Sequence, residues 1–299
     1  MKTISTKCTT LFFLLLTYSI AKAQISGNQV YGNSGSNDNA SHTNKTTVIN
    51  NNVLSVSVSI LMNAKADGFV MTLGLNEEAE TVKLCNTKIN TRIEGFLAKV
   101  KTLGIKKDES YIDFISQTKV YDFTVDGSTA QQIEKGFEIK KNIIITTENI
   151  TDLEKIITLA SEFEIHDIIK VEYFNDDTDS IHTQLFEQAL AMAEVKKDRY
   201  LKSFRKKIVG TPDANEAFEV YVPKNQYKTY QAYESSEIQT HNNNRNTNYL
   251  KKLARKNKSF YYDGVSSAGF DKVINANQTE VGIQYTLTLT VSYKIDTSI

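Results

Sequence analysis

The stretch NDDTDSIH brings Asp176, Asp177, Asp179 and His182 into one short run. Closely spaced carboxylates with an imidazole could hold a hard cation, the starting point of a metal-dependent enzyme. The calcium-loop pattern is not met, because the run has no glycine at the turn and no bidentate acid at its end. Asp179 or Ser180 serves more simply as the cap of the helix that follows. His166, in EFEIHDI, falls in a helix-to-strand turn. A general base there would need a nucleophile or an orienting group that the sequence does not supply. His42 and His241 fall in Asn-rich segments and take no assignment. There is no nucleophile elbow, phosphate loop, paired-histidine zinc motif or paired-cysteine motif. No catalytic residue, cofactor or metal ligand is assigned, and a protein that is not an enzyme is expected.

A second chemistry-bearing stretch is KKLARKNKSFYY, where basic and aromatic residues mix. Lys251, Lys252, Arg255, Lys256 and Lys258 are the candidate ligand-binding residues. Their partner would be an anionic lipid head group, an acidic glycan or another phosphate-bearing ligand of the cell envelope. Charge runs also commonly just solvate a face. The chain as a whole has 35 basic and 35 acidic residues, which argues against a nucleic-acid partner.

These groups need a scaffold, and the N-terminus sets its compartment. Lys2 and Lys7 precede the apolar run Leu11–Leu16, and Ala21-Lys22-Ala23 gives a small-x-small cleavage pattern. Residues 1–23 therefore read as a secretory signal peptide. Cleavage leaves one thiol, Cys85, which cannot form an internal disulfide. Residues 24–52, rich in Asn, Gly, Ser and Thr, read as a flexible leader.

Residues 53–299 carry the periodic signals. Leu54, Val56, Val58 and Ile60 alternate with Ser55, Ser57 and Ser59, the period of a half-buried strand. Asp67-Gly68 turns the chain into a second strand. A helix is expected from about Glu77 to Leu103, capped by Asn76, with Cys85 on its apolar stripe and Gly104 ending it. Strands near 111–123 and 136–147 would be joined by DGSTAQQIEKG. Thr151 and Glu154 have capping-box spacing for the next helix. The strand IIKVEYF at 168–174 and a helix over about 180–205 follow, with lysines and arginines crowding the end of that helix. Residues 210–280 read as an irregular excursion, apart from a possible strand EAFEVYV. In IQYTLTLTVSYKI, Tyr285, Leu287, Leu289 and Val291 alternate with Thr286, Thr288, Thr290 and Ser292. This strand should complete a sheet begun much earlier. Hairpins and helices in this order predict an α+β fold, a mixed or antiparallel sheet with long helices on one face.

The order resembles the SIMPL-domain family of exported bacterial proteins. The resemblance rests on LSVSVSI, on AKADGFVMTLGL and FLAKVKTLGIKKDESYI, and on GFEIKKNIIITTENITDLEKIITLASEFEIHDIIKVEYFNDD followed by FEQALAMAEVKKDRYLKSF. It covers about 53–206 and the last strand. Ala66-Asp67 stands where relatives usually have Pro-Asp. The resemblance implies an exported protein without catalytic residues, periplasmic or associated with the outer membrane, that acts by self-association or by interaction with another envelope protein, some relatives being ring-like or channel-like and some tied to envelope or oxidative stress. Strand edges and the exposed side of the sheet would then be the contact surfaces. The alternative is a binding module in which residues 214–275 capture an anionic envelope ligand.

Overall fold

The computed structural model describes residues 46–231 and 258–296. The expected signal peptide and most of the leader lie outside these residues. The elements run β1 (Thr47–Asn50), β2 (Val53–Ala64), β3 (Gly68–Ala79), α1 (Val82–Val100), β4 (Ser110–Asp126) and β5 (Thr129–Thr147). They continue with α2 (Ile150–Ser161), β6 (Asp167–Phe174), α3 (Thr178–Phe204), β7 (Asp213–Tyr221) and β8 (Tyr227–Gln231). The last three are β9 (Lys258–Tyr262), β10 (Lys272–Ile274) and β11 (Ile283–Lys294). The fold is α+β. The larger of two units comprises Asn39–Tyr227 with Tyr262–Ile299, and it holds both main sheets. In the smaller unit the described residues belong to β8 and β9, which pair with each other.

Two sheets form where one was expected. The first has the order β1-β2-β11-β7, with β10 beside β2, and the second has the order β4-β5-β3-β6. β2 and β3 are therefore not a hairpin. Asp67 is instead tied to the end of β6, its N–H donating to Phe174 O at 2.9 Å and its Oδ2 accepting from Asp176 N at 2.9 Å. Alternation in both strands is satisfied by two different cores. Leu54, Val56, Val58 and Ile60 pack with Tyr285, Leu287, Leu289 and Val291 beneath α3. Phe69, Met71, Leu73 and Leu75 pack with Ile139, Ile143 and Ile145 beneath α1 and α2. α3 presents Leu185, Ala189 and Ala193 at four-residue spacing to the first core. The small alanines let the helix lie close to the sheet.

The last strand pairs along its whole length with β2, from Ile283↔Ala64 to Lys294↔Val53. On the face away from α3 the polar residues bond one another across the strands. Ser59 Oγ and Thr288 Oγ1 lie 2.9 Å apart, Thr290 donates to Ser57 Oγ at 3.1 Å, and Ser55 and Ser292 meet at 3.2 Å. Cross-strand hydroxyl pairs of this kind stabilise sheets.

Several boundaries differ from the sequence reading. Residues 47–50, assigned above to the leader, form β1 on the edge of the first sheet. β3 runs on to Ala79 because Asn76, Glu77, Glu78 and Ala79 pair with β5. Asn76 therefore caps nothing, and Thr81 caps α1 by accepting from Leu84 N. Asn149, not Thr151, caps α2, its Oδ1 accepting from Thr151 N at 3.1 Å. Neither Asp179 nor Ser180 caps α3; Asp177 Oδ1 accepts from Ser180 N at 2.8 Å. The described parts of 210–280 contain four strands, β7, β8, β9 and β10, where the sequence offered EAFEVYV alone.

Candidate functional site

The acidic run does structural work. Asp177 caps α3, and Asp176 donates its N–H to Asp67. His182 Nε2 meets Glu216 Oε1 of β7 at 2.5 Å, with its ring against Phe218 and Phe186. That arrangement ties a helix to an edge strand. Among the described residues no three His, Cys, Asp or Glu side chains converge as a metal ligand set. His166 is exposed in the turn between α2 and β6. Lys251, Lys252, Arg255 and Lys256 lie outside the described residues, and Lys258 is the first residue of β9. His42 and His241 also lie outside them.

Two lysines of the basic end of α3 are engaged, Lys196 with the first sheet and Lys197 within the helix. Lys196 Nζ donates to Ser57 O at 2.9 Å and to Asp271 Oδ1 at 2.8 Å. Lys197 pairs with Glu194, which also accepts from Tyr293 OH at 2.8 Å. The Glu194 carboxyl is held below its ordinary range, first by the Lys197 bond and then by Tyr293. Cys85 is fully buried, and its thiol donates to Glu77 O at 2.9 Å. Burial pushes that thiol above its ordinary value, the opposite of what a reactive cysteine needs.

The feature without an internal explanation is the hairpin of β4 and β5. The two strands pair from Ser110↔Ile145 to Asp126↔Thr129. A tight turn at Gly127 and Ser128 closes them, with Gly127 at φ 57°, a backbone conformation that suits glycine. β3 pairs with β5 only as far as Ala79↔Phe137. From Val120↔Gly136 onward the hairpin therefore continues as a two-stranded arm. Seven residues of β4, 120–126, give it a reach of roughly 20 Å. Gly136 marks the departure point, because a Cβ there would sit 2.4 Å from Ala79 O. A register shift between Val120 and Tyr121 adds a bulge at the same place.

The arm is apolar where it should be polar. Tyr121, Phe123 and Val125 recur at alternate positions of β4, so they share one face. Phe123 and Val125 are 70% and 72% exposed. Ile133 is exposed on β5. At the base of the hairpin Tyr111, Ile112, Phe114 and Ile115 are exposed as well. Among the described residues β4 pairs only with β5 and forms the edge of the second sheet. Long edge strands are usually blunted by lysines or proline. This one has no proline, and its one lysine, Lys119, is paired with Glu134 at 2.6 Å.

Sequence reasoning placed strands near both arms of this hairpin but took DGSTAQQIEKG as a connection. The signal was present: Gly127-Ser128 is a two-residue turn signal, and Tyr121, Phe123 and Val125 alternate with Asp122, Thr124 and Asp126.

Among the described residues no helix is long and apolar enough to cross a membrane. No curated protein matches the chain. A family model does match, over residues 54–247; it is the one described as SIMPL, a protein of unknown function.

Proposed function

The chain belongs to the SIMPL family, and from that premise we propose that it is an exported, non-enzymatic protein of the bacterial envelope that works by self-association. The β4 edge and the arm beyond it form the contact surface. The observation that carries this reading is the 17-residue strand β4, whose outer edge has no neighbouring strand and whose exposed apolar side chains have no cover among the described residues. Such an edge offers backbone donors and acceptors to another strand. Its exposed apolar side chains present on the order of 800 Å² per chain, the scale of one partner's share in a stable protein interface. The export half of the reading is supported by the basic start, the apolar run and the Ala21-Lys22-Ala23 pattern. The absence of catalysis is supported by the structural employment of Asp177 and His182.

Hydrogen exchange on residues 24–299 tests the surface. Amides of 116–126 should exchange slowly at high protein concentration and faster on dilution, while those of β11 stay protected throughout. Concentration-independent, rapid exchange over 116–126 would remove the β4 edge as the contact.

A further inference from the structure

We propose that the cavity between the β2–β11 floor and the segments 262–267 and 273–282 binds a neutral, hydroxyl-rich small molecule of the sugar class. This inference goes beyond the self-association reading and does not depend on it. The cavity measures about 460 Å³, inside the size range of small-molecule sites. Its floor includes Gln284, a buried amide with 7% of its surface exposed. That amide pins one wall to the floor. Gln284 Oε1 accepts from Tyr262 OH at 3.0 Å and from Val265 N at 2.5 Å, and Nε2 donates to Asn63 Oδ1 at 2.8 Å. Asn63 in turn pins the other wall. It donates to Asn275 O at 3.1 Å, and Asn275 Nδ2 donates back to Asn63 O at 2.9 Å. Gly282 lets the floor approach Ala64, since a Cβ there would sit 2.0 Å from Ala64 O. The walls are thus fixed before any ligand arrives, which lowers the ordering cost of binding.

The lining chooses the ligand. Among the described residues no lysine or arginine lines the cavity, so nothing there balances an anion. Glu280, on one wall, is paired with Lys65 at 2.7 Å. What remains of the polar lining is a set of amides, the Ser266 and Ser267 hydroxyls, the Tyr262 ring and the Asp263 carboxylate, which repels an anion and accepts from a sugar hydroxyl. Amides and hydroxyls both donate and accept, as vicinal sugar hydroxyls require, and an aromatic ring suits the apolar C–H face of a pyranose. Burial pushes the Tyr262 phenol up to about 12, so at neutral pH it keeps the proton it donates to Gln284 Oε1.

Saturation-transfer NMR on residues 24–299 tests this with maltose and di-N-acetylchitobiose as neutral probes and glucose 6-phosphate as the anionic one. The expected result is transfer to at least one neutral sugar and none to the phosphate. Ala276→Trp, at the exposed rim and outside the pinning bonds, should weaken binding about tenfold or more with an unchanged circular dichroism spectrum. Ser267→Ala gives a milder second check on the same rim. Absence of transfer from both neutral sugars at about 10 mM, or equal binding by a folded Ala276→Trp variant, would overturn the proposal. Tighter binding of glucose 6-phosphate than of the neutral probes would do the same.

Discussion

Single residues in this protein are mostly engaged in holding it together, and their chemistry can be checked one at a time. Cys85 is the only cysteine of residues 24–299 and is buried with its thiol bonded to Glu77 O. A thiol reagent should therefore leave the native protein unlabelled over hours and label one site at once in denaturant; fast native labelling would place Cys85 elsewhere. Two carboxyls give a pH signature. Glu138 is held below its ordinary 4.5, first by the Asn76 amide, whose Nδ2 donates at 2.9 Å, and then by Lys140. Glu194 is lowered by Lys197 and Tyr293. A lowered folded-state value means stability that is present above the unfolded value and lost as pH falls through the folded one. Urea midpoints should thus fall between pH 5 and about pH 3, and Glu138→Gln should flatten that fall by about 1 kcal/mol. Glu194 is almost half exposed, so Glu194→Gln should flatten it less. An unchanged acid profile in both variants would show that these bonds do not persist in solution. The buried stripe carrying Cys85 was legible from three- and four-residue spacing. The Asn76–Glu138 bond was not, because it joins residues 62 apart in sequence.

At the scale of elements, the edge of β2 shows how separate segments are locked. β1 pairs with its first half and β10 with its second. Between them Asp271 exchanges bonds with Ser59, donating its N–H at 2.8 Å and accepting Ser59 N on Oδ2 at 3.0 Å. Lys196 from α3 reaches the other carboxylate oxygen. The Asp271 side chain is 8% exposed. Asp271→Ala should cost about 3 kcal/mol in chemical denaturation, because it leaves the half-buried Lys196 ammonium without its counter-charge and strands the backbone donor of buried Ser59. A loss below about 0.5 kcal/mol would mean that water replaces the carboxylate. Lys196 looked like one more helix-terminal cation in the sequence, since neither partner lies near it in the chain. The helices themselves were legible, but their caps were misplaced by a few residues. Thr81, Asn149 and Asp177 won over Asn76, Thr151, Asp179 and Ser180 because flanking strands ran further than expected or the chain turned earlier. The arm makes its own prediction at this scale. Phe123→Glu with Val125→Lys, both at exposed positions, should leave the unfolding free energy of the monomer within about 0.5 kcal/mol of the parent, compared at dilutions where neither assembles.

For the larger unit as a whole, alternation announced the strands but could not divide them between sheets. β2 and β3 have the same period and stand three residues apart, yet they serve different cores because α3 and the pair α1 and α2 cover separate faces. The joining of β2 to β11 was legible, since an amphipathic strand at the end of the chain needs an early partner. The apolar arm was not read as a surface, because sequence shows which side chains alternate and not which of them lack a cover. That uncovered edge is the basis of the proposed self-association. The measurement that tests it most directly is the light-scattering mass of residues 24–299 across a concentration series, beside the Phe123→Glu, Val125→Lys variant. Self-association through the β4 edge predicts a discrete multiple of the chain mass for the parent and a monomer for the equally stable variant. A parent that stays monomeric at every concentration, or a variant that assembles just as well, would contradict it.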